Sequence, residues 1–107
     1  MTPWKVEFTT EAEKDRDNLE RSQRLQVDKA IYKVSQNPLP QNEGGYGKPL
    51  GNKQSSNLTG LLKIKLLKLG IRIVYKIIQT DEIMKIIVVA ARADDEVYDI
   101  VSNRIDT

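Results

Sequence analysis

One stretch of alternating side chains, from Leu61 to Tyr75, most restricts what this chain can fold into. Its aliphatic residues alternate with Lys and Arg at a period of two, which is typical of strands that bury one face. Leu69-Gly70, near its centre, fits a two-residue turn, because Gly tolerates the positive φ that hairpin turns require. The stretch therefore predicts a β-hairpin.

The position of the turn predicts which side chains share a face of this hairpin. With Lys68 opposite Ile71, one face is almost entirely apolar. The other face carries four cations, which are Lys63, Lys65, Arg72 and Lys76. Like charges at cross-strand distances repel each other, so this face indicates an anionic partner. A basic face that is merely solvated is the alternative.

The charge of the whole chain supports a localised basic patch. The formal net charge is only +2, yet residues 44–80 contain seven Lys or Arg and no acid. Phosphate is the commonest partner of such a patch. We therefore expect further phosphate contacts from Lys48, Lys53, Lys68 and Lys76. Charge alone leaves RNA, DNA and an acidic protein open as the polyanion.

Two missing residue types exclude much enzyme chemistry. The 107 residues include no Cys, which excludes disulfides and thiolate catalysis, and no His, which excludes His-based triads and ordinary His-ligated metal sites. No stretch approaches the roughly 20 apolar residues of a membrane span, and no signal peptide is evident. We expect one domain over residues 1–107, in the cytoplasm.

Further elements follow from the same kind of pattern. Residues 4–8 predict a strand, and residues 11–20 and 22–36 predict a helical hairpin with N-caps at Thr10 and Ser22. Residues 38–60 predict an irregular loop, residues 83–90 an interior strand, and residues from Asp94 a short final helix. The expected fold is α+β, with the order β-α-α-β-β-β-α and a mostly antiparallel, twisted sheet packed against the helical hairpin.

In this order, the elements carry motifs that resemble the RelE/ParE superfamily of toxins from bacterial type II toxin–antitoxin systems. The resemblance covers nearly the whole chain. Its motifs are the Trp4 strand, the helical hairpin that ends at Asn37-Pro38, Lys48-Pro49-Leu50, residues 60–66, residues 70–75, and Val89-Ala90-Ala91-Arg92 followed by Glu96-Val97-Tyr98.

The resemblance implies one of two activities. RelE-like members are ribosome-dependent mRNA endonucleases, whereas ParE-like members poison DNA gyrase. The chain matches the catalytic positions of the RelE branch with Lys63, Lys65, Arg72, Arg92 and Tyr98. We therefore expect an mRNA interferase. A gyrase inhibitor of the same fold and a non-catalytic RNA- or ribosome-binding domain are the alternatives.

RNA cleavage without His needs a base for the 2′-hydroxyl, charge stabilisation at phosphate and protonation of the leaving oxygen. The resemblance implies that Tyr98 is the base and that Arg92 acts on the leaving group, by transition-state electrostatics or proton transfer. Lys63 and Lys65 would favour the ionised phenol, and Arg72 suits the non-bridging oxygens. The structural alternatives are a core tyrosine at Tyr98 and an ion pair of Arg92 with Asp94 or Glu96.

Neither a metal nor another cofactor is expected. Asp94, Asp95 and Glu96 stand together, but adjacent acids at a helix start are more often caps and dipole partners than metal ligands. Besides mRNA on the ribosome, the resemblance implies an antitoxin partner encoded next to the toxin. The resemblance implies that this antitoxin covers the basic face or displaces the last helix, and we expect it to be acidic.

Overall fold

The computed structural model describes residues 3–53, 56–91 and 94–105, with side chains for all of these except 51–53, 56–59, 94, 95 and 105. Five strands form one mixed sheet in the order β1-β5-β4-β3-β2. They are β1 (Lys5–Phe8), β2 (Lys48–Lys53), β3 (Ser56–Leu66), β4 (Ile71–Ile78) and β5 (Ile83–Ala90). The helices are α1 (Thr10–Asp17), α2 (Arg21–Ser35) and α3 (Asp94–Ile105). The predicted α+β class is confirmed.

Strand β5 lies inside the sheet, as its apolar sequence predicts. It pairs parallel with β1 on one side and antiparallel with β4 on the other. A register shift between Val74 and Tyr75 makes Val88 the partner of Val74 and Ile86 the partner of Tyr75. Ile87 is therefore an extra residue on β5, and it packs on the same face as Val88.

Helices α1 and α2 cover one face of the sheet, as expected. Their buried apolar side chains, Ala12, Val27, Ile31 and Val34, pack against Leu62, Ile73, Tyr75, Met84 and Ile86 from three strands. Leu62, Ile73 and Tyr75 belong to the apolar face of the hairpin, and Met84 and Ile86 continue that face onto β5. Burial of this face against the helices is the main source of stability for such a layered arrangement.

Helix α3 covers part of the opposite face. Val97, Tyr98 and Val101 pack against Leu61, Val74, Ile87 and Val88. This is the face that carries the hairpin cations, so the final helix lies beside them rather than beside α1 and α2. No helix in the described part of the chain is long and apolar enough to cross a membrane.

Three details differ from the sequence prediction. Part of the expected loop forms an edge strand, β2, which pairs antiparallel with β3. The hairpin turn spans four residues rather than two, so Leu66 rather than Lys68 is the partner of Ile71. The N-caps are Thr9, whose hydroxyl accepts from the Ala12 N–H, and Glu20. The register moves by two residues, so every hairpin side chain stays on its predicted face.

Candidate active site

The centre of the candidate site is a direct contact between a strand lysine and a helix tyrosine. Lys63 Nζ donates a hydrogen bond to Tyr98 Oη over 2.9 Å. The ammonium also lies 5.4 Å from the centroid of the Tyr98 ring. Both side chains are nearly buried, with 8% of Lys63 and 5% of Tyr98 exposed. Two of the five predicted catalytic residues thus touch each other.

The strand pattern and the helix pattern together produce this contact. On β3, Leu61, Lys63 and Lys65 point to one face because side chains alternate along a strand. On α3, Val97, Tyr98 and Val101 form the stripe that packs on that face. Burial of this stripe brings the Tyr98 hydroxyl to the ammonium of Lys63. Burying an ammonium is unfavourable without a polar partner, and Tyr98 supplies one.

Three pairs of like charge lie across neighbouring strands of this face. Lys48 is the register partner of Lys63, Lys65 that of Arg72, and Lys76 that of Lys85. Cross-strand neighbours of the same sign lower the stability of a sheet. Six cations on one face, brought together by three separate strand pairings, therefore favour an anionic ligand. We call these six residues the basic face.

The structure brings most of the predicted site residues together. Lys65 and Arg72 are half-buried and pair directly beside the position of Lys63. Arg72 Nη1 also lies 3.4 Å from the carbonyl oxygen of Gly70, at the long end of hydrogen-bond distances. Lys48 and Lys76 are exposed members of the basic face.

Of the other three predicted residues, one lies apart from this arrangement and two have no described side chain. Lys68 is exposed in the hairpin turn, outside the paired residues of β3 and β4. Lys53 ends β2, but its side chain is outside those that the structure describes, and Arg92 lies outside the described residues altogether. The roles expected of Lys53 and Arg92 stay predictions.

A second buried tyrosine shows how different the surroundings of Tyr98 are. Tyr75 is fully buried on the helical side of the sheet, and its hydroxyl donates to the Pro38 carbonyl over 2.8 Å. Burial raises the pKa of Tyr75, because an apolar environment disfavours the charged phenolate. Tyr75 therefore has a structural role, as an anchor for the loop that follows α2.

Lys85 is a member of the basic face that sequence reasoning missed. It is the one cation in β5, whose apolar sequence predicts an interior strand. Its lone position in that strand was the available signal, since a lysine between apolar residues must point to the less buried face.

Among the described residues, no group of three or more His, Cys, Asp or Glu could hold a metal ion. The side chains of Asp94 and Asp95 lie outside that description. The expectation of metal-independent chemistry stays a prediction.

Comparisons with known proteins agree on the fold. No protein-family model matches the chain, and no curated protein sequence matches it. Among solved structures, it is similar to a double arginine-to-alanine variant of the Escherichia coli toxin RelE in the free state, with a TM-score of 0.73 and 26% identity. That match covers 97% of this chain and 99% of the other.

A second match comes from another organism. A chain of the toxin–antitoxin complex RelBE2 from Mycobacterium tuberculosis is 28% identical, with a TM-score of 0.68. The match covers 88% of this chain and 97% of that one. The isolated E. coli RelE toxin also matches, at 26% identity and a TM-score of 0.68. In its fold, and in the order of its motifs, the chain is similar to RelE toxins of type II toxin–antitoxin systems.

Proposed function

We propose that the chain is an mRNA endonuclease that inhibits translation by cutting mRNA on the ribosome. The observation that carries this proposal is the hydrogen bond between Lys63 and Tyr98 beside the basic face. A single-stranded RNA supplies the phosphates that such a face favours. The RelE likeness of the fold supports the same reaction class.

In the proposed reaction, Tyr98 Oη, as the ionised phenol, takes the proton of the ribose 2′-hydroxyl at the cleavage site. The 2′-oxygen attacks the adjacent phosphorus, and the bond from phosphorus to the 5′-oxygen of the next nucleotide breaks. The products are a 2′,3′-cyclic phosphate and, once the leaving oxygen gains a proton, a 5′-hydroxyl. We assign that last proton transfer, or its electrostatic equivalent, to Arg92.

Lys63 and Arg72 have separate roles in this proposal. The N–H of Lys63 stabilises negative charge on the Tyr98 oxygen, because a hydrogen bond from a cation is stronger than one from a neutral donor. The fork of Arg72, together with Lys65, binds the non-bridging phosphate oxygens. Little of Tyr98 and Lys63 is exposed, so the substrate would reach only a small part of each side chain.

The basic face also supports an antitoxin as the second partner. An acidic segment laid across Lys48, Lys65 and Lys76 would relieve the repulsion between like charges and block access of RNA. The matched complex from M. tuberculosis contains a toxin with its antitoxin. We propose that such a segment neutralises this chain by covering the basic face.

Mapping of mRNA 5′ ends in a bacterial translation reaction tests the proposal. The reaction is run with wild-type protein, with Tyr98→Phe, and with ribosomes omitted. We expect new 5′ ends that require both ribosomes and the Tyr98 hydroxyl. The absence of new ends in every lane would contradict the proposal, and inhibition of gyrase supercoiling by the same protein would then favour a ParE-like target. RNA binding that is sensitive to salt, without cleavage, would indicate a non-catalytic RNA-binding domain.

A further inference from the structure

The edge of strand β5 is incompletely covered by its neighbour. Strand β1 pairs with β5 only from Ile83 to Ile86, and the chain then turns away, with the Thr9 N–H donating to the Ile86 carbonyl. Beyond Ile86, two backbone groups of β5 bond to side chains instead. The Val89 N–H donates to Asp15 Oδ2 over 3.1 Å, and the Ile87 carbonyl accepts from Arg104 Nη1 over 2.7 Å.

Asp15 and Arg104 also bind each other. Arg104 Nη1 donates to Asp15 Oδ2 over 2.7 Å, and Arg104 Nη2 donates to Asp15 Oδ1 over 3.1 Å. Only 21% of each side chain is exposed. The bond to Asp15 raises the pKa of Arg104. Bidentate, charge-assisted pairs of this kind combine strength with a defined geometry. The result is a bridge from α1 through the edge of β5 to α3.

This bridge holds the helix that carries Tyr98. Along α3, Tyr98 contacts Lys63 in the first half and Arg104 contacts Asp15 near the last turn. Val97 lies just before Tyr98 and Val101 lies between Tyr98 and Arg104, and both make apolar contacts, which give burial but little directional restraint. Arg104 thus supplies a directional restraint at the far end of the helix that carries Tyr98.

We propose that Asp15 and Arg104 are positioning residues, which seat α3 so that Tyr98 Oη stays in hydrogen-bond contact with Lys63 Nζ. The proposal rests on the proposed function for its effect on RNA cleavage. Its structural part, the link between the Asp15–Arg104 bridge and the surroundings of Tyr98, stands without that function.

The chain offers a matched control for this bridge. Arg16, the next residue on α1, forms a bidentate pair with Asp28 of α2, at 2.8 Å from Nε and 2.6 Å from Nη2. This pair has the same chemistry and the same helix at one end, but it connects the two helices on the other side of the sheet. Asp15→Ala and Arg16→Ala each remove a bidentate ion pair of α1, of which only the first involves α3.

The test uses two readouts on the full chain. The first is the ¹³Cζ resonance of Tyr98 in tyrosine-labelled protein, assigned by its absence in Tyr98→Phe, which reports on the hydroxyl without any need for activity. The second is the rate of mRNA cleavage on ribosomes at saturating protein. Arg104→Lys serves as the milder variant, since it keeps the charge but loses the two-pronged donor. Both readouts are taken at a temperature where each variant is folded by circular dichroism.

We expect Asp15→Ala and Arg104→Lys to shift the Tyr98 resonance and to lower the cleavage rate by about tenfold to a hundredfold, because misplacement of a reacting group by about 1 Å costs that much. Arg16→Ala should leave the resonance in place and change the cleavage rate by no more than about twofold. That is well below the tenfold rate change that a barrier difference of about 1.4 kcal/mol produces. An unchanged Tyr98 resonance in both Asp15→Ala and Arg104→Lys would overturn the proposal. A shifted resonance in a protein that never cleaves RNA would support the bridge and contradict the proposed function.

Discussion

At the scale of single residues, the energetics of the site centre on a lysine that is buried against a tyrosine. Lys63 has 8% of its surface exposed, and its ammonium donates to a phenol rather than to a carboxylate. Removing one member of a buried polar pair leaves the other without its partner, whereas replacing both by apolar groups of similar shape is nearly neutral. Keeping a buried ammonium at the centre of the site lowers stability, and a loss of stability of this kind is typical of residues selected for activity.

A double-mutant cycle on this pair tests that interpretation. Tyr98→Phe leaves the Lys63 ammonium without its phenol acceptor, so we expect the free energy of unfolding to fall by about 1–3 kcal/mol. Adding Lys63→Met should recover most of that loss, because the ammonium is no longer buried. Urea denaturation of the four proteins of the cycle measures the effect. Strictly additive losses in the double variant would contradict a direct interaction.

Tyr75 provides a prediction about pH. Its pKa is raised by burial in the folded state, so the folded protein holds this proton more tightly than the unfolded chain does. The ionisation of Tyr75 therefore has no effect on the free energy of unfolding at neutral pH and lowers it as the pH rises above about 10. We expect Tyr75→Phe, which also leaves the Pro38 carbonyl unpaired, to be less stable at pH 7 but to show a shallower alkaline decline. Equal alkaline slopes for the two proteins would refute this role.

At the scale of elements, the hairpin turn depends on one left-handed residue. Gly70 has φ of +66°, and a Cβ placed there would have no neighbour within 4 Å. Any loss on substitution therefore comes from backbone strain alone. We expect Gly70→Ala to lower the free energy of unfolding by about 1 kcal/mol and Gly70→Asn to lower it less, since Asn tolerates this conformation better. Thermal unfolding of both variants measures this difference. An Asn variant that is less stable than the Ala variant would contradict the prediction.

The same hairpin shows what the sequence could and could not predict. Alternation along residues 61–75 determines which side chains share a face, and that held although the turn is two residues longer than expected. Strand β2 was missed because Lys48–Lys53 contains Pro and Gly and lacks alternation, so its pairing with β3 decides its conformation.

Contacts between distant parts of the chain were the other gap. Asp15 and Arg104 are 89 residues apart in sequence, and neither has an unusual neighbourhood, so only the fold reveals that they meet. The contact of Lys63 with Tyr98, by contrast, involves two residues that the family motifs had already singled out. Motif resemblance thus identified the central pair, while its supporting bridge required the structure.

At the scale of the whole molecule, charge is divided between the two sides of the sheet. The basic face lies on the α3 side, whereas α1 and α2 cover the other side with their own ion pairs, such as Arg16 with Asp28. Helix α3 itself carries the exposed acids Glu96 and Asp99. A polyanion should therefore bind along the strands beside α3 rather than on the helical hairpin.

The salt dependence of RNA binding tests this layout. For a single-stranded RNA oligonucleotide, each lost phosphate contact reduces the slope of log K against log salt by about 0.7. We expect Lys76→Ala, on the basic face, to reduce the slope by about that amount. Lys29→Ala, an exposed lysine on α2, should leave it unchanged. Fluorescence anisotropy from about 50 to 200 mM salt measures both. Equal reductions for the two variants would indicate diffuse attraction without a defined face.

The most direct test of the central claim is the single-turnover rate of mRNA cleavage on ribosomes for Tyr98→Phe compared with Tyr46→Phe. Tyr46 is a fair control because a lysine, Lys33, also lies over its ring, at 5.7 Å, yet it is exposed and away from the basic face. We expect the cleavage rate of Tyr98→Phe to fall by about a hundredfold or more, the usual contribution of a general base. Tyr46→Phe should cleave at the wild-type rate. Cleavage by Tyr98→Phe at the wild-type rate would contradict the assignment of Tyr98 as the base.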